Sequence, residues 1–145
     1  MAGKSFPLIK LFAMTSSHQA VLQKNMRKNL MHALENLSDR KCQVKYKQAV
    51  PFMHVPRELL AQWDEYSRLL KERCDWFIKG LTQHELAALA EFDIKVVAFT
   101  QADRLPDVPE IFEVREWVKL MDDASQLRAV LRPNRTECEQ DDPAN

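Results

Sequence analysis

The chain has 145 residues, 46% of them hydrophobic and 29% charged, which is the length and composition of one folded domain and excludes disorder over most of it. Only two glycines occur, Gly3 and Gly80, so glycine-rich phosphate loops are excluded and helix is favoured over tight-turned β architecture. The formal charge is zero, but residues 1–50 carry nine lysines and arginines against two acids, a net +7, and the remainder carries twelve against nineteen, a net −7.

In chain order, Phe6 to Met14 (FPLIKLFAM) is a short apolar run that reads as a buried strand. Thr15, Ser16 or Ser17 supplies an N-cap for an amphipathic helix from His18 to Leu37, with Leu22, Met26, Leu30, Ala33, Leu34 and Leu37 on one side. Cys42 to Val50 (CQVKYKQAV) alternates apolar residues and lysines, the pattern of a half-exposed strand. Pro56 suits the first turn of a helix, and Leu59, Leu60, Trp63, Tyr66, Leu70, Cys74 and Phe77 form a stripe about six turns long that ends at Gly80.

Thr82 and Glu85 have capping-box spacing, with Leu81 and Leu86 placed as a hydrophobic staple, and predict a short helix to Phe92. Ile94 to Phe99 (IKVVAF) has the residue types of a buried strand. A loop at 105–109 leads to a last helix, with Asp107 as its expected cap and Ile111, Val114, Trp117, Leu120, Met121, Ala124, Leu127 and Leu131 as its apolar side, stopped by Pro133. The order β-α-β-α-α-β-α predicts an α/β domain over 1–133, with a small three-stranded, mostly parallel sheet flanked by about four helices. The alternative is an all-α bundle. Residues 134–145 read as a disordered acidic tail.

Chemistry-bearing motifs are few. His18, His32, His54 and His84 are far apart and form no HxxxH or HExxH arrangement, so neither metal nor another cofactor is expected. Cys42, Cys74 and Cys138 show no CxxC spacing, which fits a reducing compartment, and Cys74 falls on an apolar stripe where a thiol is inert. Pairs such as Asp122-Asp123 and Glu113/Glu116 fall on a solvated helix face. No apolar stretch is long enough to span a bilayer and no secretory signal opens the chain, so a soluble, intracellular, cytoplasmic protein is expected. An organelle matrix is the alternative, because the first 34 residues contain no acid.

Two surfaces remain as candidates. Trp63 and Trp117 belong to apolar stripes and are expected in the core, whereas Trp76, Phe77 and Ile78 extend an apolar surface beyond one stripe and are the expected partner-binding residues. Lys24, Arg27 and Lys28 on the first helix, with Lys41, Lys45 and Lys47 beyond it, form a candidate anion-binding face within residues 24–47. With no catalytic residues singled out, the leading expectation is a non-enzymatic protein-binding adaptor, regulatory or assembly factor. Nucleic-acid binding through the basic face comes second, and a small enzyme without a recognisable motif third.

Overall fold

The computed structural model describes residues 16–99 and 104–132, and among these there is no strand. The chain forms α1 (Ser16–Ser38), α2 (Arg40–Ala49), α3 (Val55–Lys71), α4 (Asp75–Lys79), α5 (Gln83–Val97), a 3-10 turn (Glu110–Glu113) and α6 (Arg115–Leu131). The α/β expectation is therefore wrong and the all-α bundle is correct. The proposed strand at Phe6–Met14, the Thr15 cap, Pro133 and the tail at 134–145 lie outside the described residues.

Four helices make the bundle. The pairs α1–α6, α6–α5, α5–α3 and α3–α1 all touch and close a ring, with α1–α6 the most extensive pair and α3–α5 the least. Contacts fix the directions. Arg27, midway along α1, bonds the Leu131 carbonyl at the end of α6, while Gln43, just beyond α1, bonds Trp117 near the start of α6. Trp63 bonds Asp93 between α3 and α5, and the short link from Lys71 through α4 to Gln83 starts α5 at the end where α3 finishes, giving an up-down-up-down arrangement around Leu30, Leu34, Leu59, Trp63, Leu89 and Trp117. Both core tryptophans are buried, as their stripes imply, and Phe92 meets the Trp63 ring edge-on at 4.9 Å.

The expected strand at Cys42–Val50 is instead α2. Asp39 caps it, its carboxylate accepting from the Lys41 and Cys42 amides at 2.7 and 3.3 Å. The residue that turns inward is Gln43, fully buried, while Lys41 and Lys45 reach solvent one turn apart. Gln43 Nε2 donates to the Asn36 and Leu37 carbonyls at 3.0 and 3.1 Å, satisfying the end of α1, and its Oε1 accepts from Trp117 Nε1 at 3.2 Å. Alternation in the sequence thus lost to a strong cap and one buried amide.

The expected strand at Ile94–Phe99 is mostly the last turn of α5. Its buried positions, Glu85, Leu89, Phe92, Asp93 and Val96, follow the helical period, which leaves Ile94 73% and Val97 45% exposed. The helix from Thr82 also runs to Val97 rather than stopping at Phe92, and its capping box forms as the spacing implies.

The six-turn helix expected to end at Gly80 breaks at Arg73. There φ is 50°, the Arg73 amide donates to the Leu70 carbonyl, and the Cys74 amide reaches back to Leu69. This paired closure is a Schellman motif with arginine at the left-handed position that glycine normally takes. Asp107 does not cap α6. Its Oδ1 accepts from the Val55 and Val108 amides, and its Oδ2 meets Lys47 Nζ at 2.6 Å, which ties the 104–109 loop to the start of α3 and to α2.

Two stability changes follow. Gln43→Leu leaves the Trp117 indole N–H and two carbonyls unpaired in the core and lowers unfolding free energy by about 2–3 kcal/mol in urea denaturation. Arg73→Gly relieves the left-handed strain and raises stability by up to about 1 kcal/mol in the same assay, part of the gain being offset by the more flexible unfolded chain.

Candidate functional site

The six basic residues separate into two groups. Arg27 is taken up internally: its guanidinium pairs with both Glu85 oxygens and donates to the carbonyls of Gly80 at 3.3 Å and Leu131 at 2.9 Å. Lys47 is likewise spent, on Asp107 and on the carbonyls of Pro51 and Met53. The remaining four, Lys24, Lys28, Lys41 and Lys45, are exposed, and no ion pair is recorded for any of them among the described residues. Lys24 and Lys28 stand one turn apart on α1, and Lys41 and Lys45 one turn apart on α2. Arg40, beside them, lies over the Phe112 ring at 4.4 Å.

The aromatic trio is not an open surface. Phe77 is 3% exposed, and Trp76 and Ile78 are half-buried against the core. The reversal at Arg73 turns α4 onto α1, where Gln23 Nε2 donates to the Trp76 carbonyl at 2.8 Å. The backbone approaches so closely that a Cβ at Gly80 would sit 3.2 Å from Gln23 Cγ. These residues join two helices.

A different apolar surface, unforeseen in the sequence, surrounds the end of α5. Along the loosely packed α3–α5 edge runs a groove of about 380 Å³, lined by Leu60, Ala61, Trp63, Val96, Val97 and Phe99, with Arg57, Asp64 and Lys71 on its rim. Across α5, a second hollow of about 280 Å³ is lined by Ala98, Phe99 and Leu120 between Lys95, Lys119, Glu116 and Asp123. Phe99 borders both, and α5 carries exposed Ile94 and Val97. A helical reading of IKVVAF would have shown it, because its five apolar residues on a helix cannot all face inward.

Nothing resembling a catalytic constellation is assembled from the described residues. The Cys42 and Cys74 thiols are half-buried and pushed up by that burial, with Asp39 and Glu35 adding to the effect at Cys42, so both stay protonated at neutral pH. No group of three or more histidine, cysteine or acidic side chains is placed to hold a metal ion, and no helix is long and apolar enough to cross a membrane, among the described residues.

The Arg27–Glu85 pair ties stability to pH. Burial pushes the Glu85 carboxyl up, but bonds from Arg27 and from the Thr82 amide outweigh it and hold the group below the usual carboxylate range. A folded-state value below the unfolded one means stability is fully present above about pH 4.3 and is lost as pH falls through the lower value. The unfolding midpoint of the wild type should therefore drop on acidification below that pH, and Glu85→Gln should flatten this part of the profile. Thr82→Ala, which removes only the cap, costs about 1 kcal/mol at neutral pH by thermal or urea unfolding.

No family model, no curated protein and no solved structure matches this chain.

Proposed function

We propose that this chain is a non-enzymatic protein-binding module of the adaptor, regulatory or assembly-factor kind, and that it binds through the apolar surface around the end of α5. The observation that carries this reading is the meeting of two apolar hollows at Phe99, one of them lined by exposed Val97, on a helix that also carries an Ile94 73% exposed. Contiguous exposed apolar surface with a polar rim is characteristic of interaction sites. The α3 side of the groove runs from Arg57 to Lys71, about 21 Å at 1.5 Å per residue, which suits an amphipathic partner helix of about fourteen residues laid between α3 and α5. Unpaired thiols at Cys42 and Cys74 support a reducing compartment such as the cytoplasm.

A second reading is favoured by the basic face. Lys24 and Lys28 on α1 and Lys41 and Lys45 on α2 are two pairs of solvent-exposed lysines, a residue type that suits the phosphates of a nucleic acid.

Capture of partners from native cells, with nuclease, distinguishes the two. Under the protein-binding reading, Ile94→Asp with Val97→Asp reduces recovery of a nuclease-resistant partner by about tenfold or more, while Lys24→Glu with Lys28→Glu changes it little. Both altered positions are exposed, so the bundle itself should keep its melting temperature. Loss of partners on nuclease treatment, with binding that weakens steeply in salt, would transfer the function to the lysine face.

A further inference from the structure

The groove on the α3–α5 edge has apolar walls but a polar floor. Asp93 is 8% exposed and Ser67 3%, and both line it. Asp93 accepts one hydrogen bond, from Trp63 Nε1 at 2.9 Å, and no side-chain bond joins Ser67 to another described residue. A carboxylate offers about four lone-pair sites, so most of the accepting capacity of Asp93 remains for whatever fills the groove. The α3 rim adds a charge pattern: exposed Arg57, Asp64 and Lys71 follow one another at every seventh residue, about 10.5 Å apart, and read plus, minus, plus. We infer that the partner of this groove is an amphipathic helix with one basic side chain, arginine above all, in the middle of its apolar face, seated against Asp93 and Ser67, and with acids about two turns away on either side facing Arg57 and Lys71. This names the chemistry of the partner and rests on the protein-binding reading above.

Desolvation selects this occupant. While the groove is open, water can satisfy both polar groups on its floor. A wholly apolar helix laid over them removes that water and returns no hydrogen bond, and a carboxylate left buried and unpaired is among the costliest groups a complex can contain. A basic side chain reverses the balance, its charged head bonded to Asp93 and its methylenes lying along Leu60 and Val97. Arginine suits best, because a fixed fork of donors can meet the carboxylate and the hydroxyl together. Placement agrees: Asp64 stands midway between Arg57 and Lys71, and its neighbour Trp63 is the residue that holds Asp93. The exposed rim charges contribute register more than strength, and a plus-minus-plus rim reads the same in either direction along the partner. A metal ion is a poorer fit, since among the described residues no three acidic, histidine or cysteine side chains converge there.

The test is a selection on the full chain from a displayed library of helices about fifteen residues long, with the apolar-face positions randomised over leucine, phenylalanine, arginine, lysine, glutamate and glutamine. Helices that also bind the Ile94→Asp/Val97→Asp chain are discarded, which leaves those that use the groove. The survivors should carry arginine or lysine at one central apolar-face position. In calorimetry with one selected peptide, replacing that residue by leucine should weaken binding to the wild type about thirtyfold or more and binding to Asp93→Asn less than about threefold. Asparagine keeps an oxygen for the Trp63 N–H, so Asp93→Asn should fold, and its melting temperature checks this. If it does not fold, the residue preference selected by the wild type decides alone. Survivors with wholly apolar faces, an equal loss on both chains, or no survivors would overturn the proposal. So would a wild-type dimer in sedimentation that Ile94→Asp with Val97→Asp dissociates, which points to a second copy as occupant. Capture of native partners by the Ile94/Val97 variant reports on the protein-binding reading alone, so apolar survivors sink this inference and leave that reading standing.

Discussion

One guanidinium holds one end of this bundle together. Arg27 leaves α1 and reaches the carbonyl after α4, the carboxylate in the first turn of α5 and the last carbonyl of α6, so four elements meet on one side chain. A planar group with five donors in a fixed fork is suited to that task, and lysine would not reproduce it. Glu85 serves two partners at once, closing the Thr82 capping box with the same carboxylate that takes Arg27. Helix capping, usually a local matter, is here part of the tertiary structure.

The opposite end is built the same way from different residues. Gln43 reads the last carbonyls of α1 and holds the Trp117 indole, while Asp107 gathers Val55, Val108 and Lys47. Between these polar ends the interior is apolar, apart from the Trp63–Asp93 bond and the buried Ser67. Such an arrangement restricts sliding of the helices, because a shift by one turn would strand several buried polar groups at once.

Much of the helical content was legible in the sequence, and the errors have a common cause. The 3.6-residue stripes of α1 and α6 and the Thr82–Glu85 box were plain because many residues agreed on each. CQVKYKQAV and IKVVAF misled because nine and six residues containing valine and lysine fit either period, and long-range contacts decided between them. Gln43 in the core and Asp93 beneath Trp63 are polar residues whose inward direction no local pattern announces. The break at Arg73 was invisible for a similar reason, since an arginine in the place of a C-terminal glycine carries no helix-ending signal. The candidate sites shifted accordingly: Arg27, Lys47 and Phe77 went to internal contacts, and the exposed apolar surface arose from the helix that had been read as a strand.

The most extensive contact in the molecule joins its first described helix to its last. Although α1 also touches α2, α3 and α4, its most extensive partner lies some ninety residues downstream, which raises contact order and slows folding relative to a bundle whose largest contacts join sequence neighbours. At ribosomal speeds of about 5–20 residues per second, the Leu30–Leu34–Leu37 face is synthesised roughly 5–20 s before Leu131 exists to help cover it. A nascent chain in that interval presents an uncovered apolar helix flanked by lysines, which makes chaperone engagement during translation a physical consequence of the topology.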